Sequence, residues 1–297
     1  MRRLTMKKDR FYLTPAEISL EAIETGVKKV KTSTINQIIL AILAGVFIAF
    51  AAEGSNMATF NLLSKPETYG LGRALAGTLF GTGLMLVVVA GGELFTGNAL
   101  IIAGVLEKRI KITQLLHNWL FVYLGNFIGS ILIAFMMNES NLFNSGNYGL
   151  GSMTIQIAYG KISLEFMPAF YLGIMCNWLV CLAVWMAYAS KDMIGKLFAI
   201  FFPIQLFITS GFEHSVANMY YIPAGIMAKS NPNWAMASQL SAEQLADLNW
   251  VTLFTRNLIP VSLGNIIGGT IFAAGAYWFV YVRNNPDRII VDEDKDE

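Results

Sequence analysis

Two short stretches hold the residues able to do chemistry. Ser210-Gly211-Phe212-Glu213-His214-Ser215-Val216-Ala217-Asn218 lies inside an apolar segment running from about Ile194 to Met227. Ala90-Gly91-Gly92-Glu93-Leu94-Phe95-Thr96-Gly97-Asn98 ends another apolar segment that starts near Leu71. An ionisable side chain at membrane depth costs roughly 2.5–3.5 kcal/mol on insertion scales, so it is retained where it faces a cavity or a partner. Glu213 beside His214, and Glu93 among three glycines, therefore point to polar sites between apolar walls. Pro203, Gly211 and Pro223 predict an interrupted helix in the later segment, and Gly91, Gly92 and Gly97 predict one in the earlier. A histidine has an unperturbed pKa of about 6.5 and can share a proton near neutral pH. Broken helices, apolar walls and a titratable group together suggest a permeation site. In the plainer reading, His214 pairs with Glu213 and locks two helices.

The elements that position these residues must lie in a membrane. Of 297 residues, 55% are hydrophobic and 14% charged, with a mean hydropathy of +0.52. A soluble domain carries about 25% charged residues, so this composition describes a polytopic membrane protein. A net charge of +1 gives no field for nucleic acid. Cys176 and Cys181 are five apart on different helix faces and do not bridge easily. His117 and His214 sit in separate segments, so neither a metal site nor a cofactor is implied.

Met1 to Arg10 is polar and basic and lacks the apolar core of a signal peptide. Thr14-Pro15-Ala16-Glu17 reads as a capping box with proline at the first helical position. The helix it opens predicts an amphipathic anchor at the cytoplasmic face, ending in Lys28, Lys29 and Lys31. Six spans follow, near Ile35–Leu63, Leu71–Leu106 with its break, Thr113–Met137, Leu164–Tyr188, Ile194–Met227 with its break, and Asn257–Val282. The resulting division is a cytoplasmic segment 1–33, a channel domain 34–283 and a solvated acidic tail 284–297. With both termini inside, only Lys65, Arg73, Lys161, Lys229 and Arg256 of the 21 basic residues fall outside. The stretch Asn138–Lys161 reads as an outer loop rich in Asn, Gly and Ser, and Ser241-Ala242-Glu243-Gln244 as the start of a short surface helix.

An internal repeat is visible. Leu124-Gly125-Asn126-Phe127-Ile128-Gly129 in the third span matches Leu263-Gly264-Asn265-Ile266-Ile267-Gly268 in the sixth. Each central Asn follows another by eight residues, Asn118 and Asn257 respectively. Three spans then three spans makes the second half inverted, and paired breaks in inverted halves mark a substrate site at the midplane. Glycine-mediated helix packing is the alternative source of the motif.

Glu93–Asn98, Asn177–Met186, Gly211–Met219 and Asn257–Asn265 occur in this order, and with them nearly the whole chain, Thr14 to Arg283, resembles the formate–nitrite transporter family. The resemblance implies an all-α, aquaporin-like protomer of six helices with the second and fifth interrupted. It implies a homopentamer in the cell (inner) membrane, with one pore per subunit for formate, nitrite or hydrosulfide, formate being preferred. Thr96 and His214 match the family's pore centre, and Phe80 and Leu84 its cytoplasmic constriction. Phe95, Val180 and Phe207 match its outer constriction, Lys161 its entrance lysine, and Asn177 and Glu213 the residues supporting the centre. The Glu-Leu-Phe-Thr-Gly-Asn form of the first break also resembles nitrite and hydrosulfide members, which leaves the choice of anion open.

A bare anion between such apolar constrictions loses several kcal/mol of hydration, whereas a neutral acid loses far less. Lys161 would then attract the anion, and His214 would donate a proton or share one through Thr96. Asn177 reads more readily as bonding helix backbone than substrate, and Glu53 as structural. A neutral-solute channel of the aquaporin kind would carry Asn-Pro-Ala at both breaks, and neither break has it. An intramembrane enzyme would need a nucleophile–base pair or a zinc helix. Ser215 is the chain neighbour of His214 and points elsewhere on a helix, so no enzymatic role is expected.

Overall fold

A computed structural model describes residues 11–283 of the chain. The basic residues before Phe11 and the acidic tail therefore lie outside the described residues. Among these, six helices are long and apolar enough to cross a bilayer. The protein is an all-α multi-pass membrane protein.

The first half begins with α1 (Pro15–Lys31), opened by the Thr14–Glu17 capping box. Next come α2 (Thr34–Leu63) and α3 (Tyr69–Leu86), the latter continuing through a π-helical turn, Val87–Gly91. After the break, a 3₁₀ turn, Gly97–Ile101, leads into α4 (Ile102–Leu106), and α5 (Ile112–Glu139) closes the half. The second half repeats this order with α6 (Gly149–Ile162), α7 (Phe166–Ala189), α8 (Met193–Ser210), α9 (Ser215–Ala228) and a last span, Trp250–Arg283. Two short helices, α10 (Pro232–Ala237) and α11 (Ala242–Asp247), precede that span. The Ser241–Gln244 capping box expected for α11 is present.

The repeat glycines set the helix spacing. A Cβ on Gly129 would lie 2.1 Å from the Ile42 carbonyl of α2, and one on Gly268 would lie 2.3 Å from the Ile174 carbonyl of α7. The last span of each half thus presses backbone to backbone on its first, the approach small residues allow in membranes. Repeat and packing motif are one feature.

Three expectations change. Pro203 and Pro223 lie inside continuous helices, and only Gly211, at φ +82°, breaks the fifth span. A proline removes one hydrogen bond, which neighbouring helices accommodate, whereas a left-handed residue turns the chain. Its counterpart in the second span is Gly91, at φ +96°. The supposed outer loop contains α6, whose Leu150, Met153, Thr154, Ile155, Ala158 and Ile162 recur at helical spacing and are buried. Polar composition at its start hid that period. Finally, α1 turns its apolar stripe inward: Ile18, Ala22, Ile23 and Gly26 are buried, with Gly26 against Ile101. It packs on the first half-helix as α6 packs on α9, where Gly225 meets Ala158.

One face of the bundle gathers both described ends. The Leu13 N–H donates to the Ala189 carbonyl (2.8 Å) and the Lys191 N–H to the Phe11 carbonyl (3.3 Å). Trp278 Nε1 donates to Glu107 Oε2 at 2.9 Å, tying the end of the last span to the turn after α4.

Candidate permeation site

The two breaks bring Thr96 and His214 together at the centre. Thr96 Oγ1 and His214 Nε2 are 2.9 Å apart, and the residues are 0% and 3% exposed. His214 is also the N-cap of α9, its Nδ1 accepting the Ala217 N–H at 3.0 Å. A ring nitrogen that accepts a backbone N–H carries no proton, so the hydrogen-bond network assigns the neutral imidazole proton to Nε2. Nε2–H then donates to Thr96, and the threonine hydroxyl hydrogen is left to give to something else. Below the pair, the Thr96 carbonyl accepts from Asn177 Nδ2 at 3.1 Å, and the same amide nitrogen donates to the Asn265 carbonyl at 2.7 Å. Asn177 bonds backbone, the more ordinary of its two readings.

Each break is held by a matching polar cluster. In the first half, Lys29 Nζ donates to both Glu93 oxygens at 3.0 Å and to Asn98 Oδ1 at 2.8 Å. Asn98 Nδ2 bonds Glu93 Oε2 (2.6 Å) and Asn118 Oδ1 (2.8 Å). In the second half, Lys161 Nζ donates to Glu213 Oε1 at 2.8 Å. Asn218 Nδ2 bonds Glu213 Oε2 (2.6 Å) and Asn257 Oδ1 (2.7 Å). The extended backbone is pinned equally in both halves. Asn126 accepts from the Phe95 N–H and donates to the Ala41 and Glu93 carbonyls. Asn265 accepts from the Ser215 N–H and donates to the Gly173 and Glu213 carbonyls. These correspondences pair α1, α2, the first break and α5 with α6, α7, the second break and the last span, as an inverted repeat requires.

Two cavities approach the centre. One, of about 420 Å³, is lined by Lys29, Glu93, Leu84, Val184, Tyr188 and Lys196, on the face that holds the chain ends. The other, of about 640 Å³, is lined by Lys161, Glu213, Arg73, Asn56, Phe212 and Tyr221. Between them the Phe207 ring stacks on His214 at 5.9 Å and meets Phe80 edge-on at 5.8 Å. Phe80 therefore groups with Phe207 at the centre, while Leu84 lines the first cavity. Phe95 turns its ring to Tyr123 (4.8 Å) and Trp119 (6.0 Å), and Val180 is buried in the core. Neither lines either cavity.

Lys29, Asn98 and Asn218 were not singled out as site residues from the sequence. The signal that finds them is a second repeat, Glu93-x₄-Asn98 against Glu213-x₄-Asn218, each with a lysine on the preceding packed helix. Glu53 receives the Tyr220 hydroxyl, in keeping with a structural place for it.

Six spans, paired re-entrant breaks and a polar pair between two charged vestibules define a membrane channel or carrier of the inverted-repeat class. The family model described as formate/nitrite transporter matches residues 16–279. The chain belongs to that family. It is 38% identical over 284 residues to the formate channel FocA of Escherichia coli K12, covering 94% of this chain and 99% of that one. It is 37% identical to the probable formate transporter of Methanothermobacter thermautotrophicus, over 92% and 98% of the two chains. Among solved structures, it superposes on a pentameric formate channel with formate bound with a TM-score of 0.72, at 36% identity, covering 84% and 97%.

Proposed function

We propose that this chain is a homopentameric membrane channel for formate, with nitrite or hydrosulfide as the alternative cargo. The observation that carries the reading is the Thr96–His214 contact, closed off between two charged vestibules in a chain so similar to formate channels. Lipid and the fellow subunits cover the apolar outer helices. The basic loops support an orientation with both termini cytoplasmic, so the Lys29 vestibule faces inward and the Lys161 vestibule outward.

The geometry supports a definite division of labour. Phe80 and Phe207 leave no polar partner for a hydrated anion, so the crossing species sheds water at the centre. The Thr96 hydroxyl, polarised by His214 Nε2–H, donates to one substrate oxygen. His214 holds that donor in place. For His214 to give up a proton it would first have to be protonated at Nδ1, which would release the cap on α9. The reading therefore assigns His214 an orienting role, with protons entering from the vestibules. Leu84 shapes the wall of the first vestibule, Phe95 and Val180 pack the core behind the breaks, Asn177 fixes the Thr96 backbone, and Glu213 with Lys161 holds the second break. It involves no enzymatic step.

The test is flux through purified protein in liposomes, with formate, nitrite, hydrosulfide and glycerol compared at two pH values. Formate flux saturating well above the lipid background is expected. Glycerol or water conduction without flux of any of the three anions would overturn the reading.

A further inference from the structure

The second vestibule contains three charged side chains, Arg73, Lys161 and Glu213. Lys161 and Glu213 form a close pair at 2.8 Å, with side chains only 16% and 7% exposed. At a distance larger than that separation their fields largely cancel. Arg73 is different. Its guanidinium donates to the Thr209 carbonyl (Nε, 3.3 Å) and to the Ile208 carbonyl through Nη2. Among the described residues it makes no ion pair. Its partners are the last carbonyls of α8, which by themselves place about half a negative charge at the vestibule wall. The first vestibule has no such excess: Lys29 and Lys196 are matched by Glu21 and Glu93.

We propose that Arg73 is the residue that makes the second vestibule attractive to anions, by reversing the sign of the α8 C-terminus. The uncompensated charge there is the guanidinium rather than the Lys161 ammonium. It also stands over the turn that leads to His214: a Cβ on Gly211 would come 3.2 Å from Arg73 Nη2. The vestibule thus concentrates its anion beside the loop that delivers it to the centre. This inference rests on the anion-channel reading above and names the residue that draws the cargo in.

Two measurements test it. Formate flux is measured for Arg73→Met and Arg73→Lys in liposomes across a salt series. The methionine variant should raise KM about tenfold at low ionic strength with kcat little changed, as electrostatic steering predicts. That difference should fall below about twofold near 1 M salt, where the Debye length is ~3 Å. Lysine, which keeps the charge, should restore most of the affinity. A loss of kcat that is equal at all salt concentrations and is not rescued by lysine would make Arg73 a strut and overturn the proposal. The second measurement needs no transported substrate. Gln156, on the vestibule wall, is replaced by cysteine, and its modification rates by anionic and cationic thiosulfonates are compared. The native Cys176 and Cys181 are both buried. The anionic reagent should be favoured several-fold with Arg73 present, and the preference should vanish with Arg73→Met. An unchanged ratio would refute the proposal even if the protein carried no formate; absent formate flux with the expected ratio would instead fault the functional reading.

Discussion

The two halves of this protein use one hydrogen-bond plan and depart from it where Thr96 meets His214. Glu93 and Glu213, Asn98 and Asn218, Asn118 and Asn257, Asn126 and Asn265 occupy equivalent places in inverted copies. Counting from the glutamates, Thr96 falls opposite Val216, and His214 opposite Leu94. The polar pair is thus made of two non-equivalent residues, each with an apolar residue at the equivalent position of the other copy. Symmetry builds the frame; the asymmetric substitutions place one donor and one holder where the copies meet. The clusters differ in tightness too. Lys29 bonds both its glutamate and Asn98, while Lys161 bonds Glu213 and lies 5.2 Å from the Tyr221 ring centroid.

The largest effects are expected at the ion pairs. Removing one partner of a buried pair costs about 3–5 kcal/mol, because it strands the other charge. Lys161→Met should reach that range by thermal or denaturant unfolding in detergent, and Lys29→Met should cost less, since Lys29 and Glu93 side chains are 23% and 10% exposed. Adding Glu213→Gln to Lys161→Met should recover most of the loss. Equal costs for the two lysines would show that burial does not rank the clusters.

Next comes the centre. His214→Ala should lower formate flux by about a hundredfold or more, the range for losing a preorganised hydrogen-bond donor. His214→Asn, which can still cap α9, should fold as well as the parent and yet lose the flux. Thr96→Val should match it. If Leu94 or Val216 were replaced by a polar residue of the same size, flux should not be rescued, because the missing donor is tied to one copy only.

A smaller effect comes from helix approach. Gly129→Ala and Gly268→Ala each place a methyl within 2.1 and 2.3 Å of a facing carbonyl, and overpacking of this sort costs about 1–3 kcal/mol. Similar losses in unfolding are expected for the two, and a tolerated alanine at either would show that its half packs more loosely. The smallest effect lies outside the repeat: Ser241→Ala removes the cap on α11 and should cost about 1 kcal/mol with flux unchanged.

Much of this was readable from the residues. Costly groups in apolar runs located both breaks, and the Leu-Gly-Asn pattern located the repeat and its close-packed faces. The resemblance pointed to Thr96, His214 and Asn177; the structure sets the first two 2.9 Å apart and has the Asn177 amide donate to the Thr96 and Asn265 carbonyls. The roles of the prolines were not legible, since a proline-free ladder and a proline tolerated by neighbouring helices look alike in one dimension. Residue α6 content was hidden in a polar-looking loop, and the placing of Phe80 beside Phe207 depended on α3 meeting α8. Lys29 was seen only as part of a basic helix end; its path into the Glu93 cluster follows from how α1 docks.

Six membrane crossings in two inverted halves follow from the residues alone, because each span must satisfy its backbone internally and the polar interruptions stand out against apolar segments. Which charges survive uncompensated follows from how the helices pack. Whether a lysine is matched by a glutamate, or an arginine is left to face helix carbonyls, depends on distances of a few ångströms between residues 52 to 136 positions apart. Electrostatic compensation is set by those distances, and composition does not contain them.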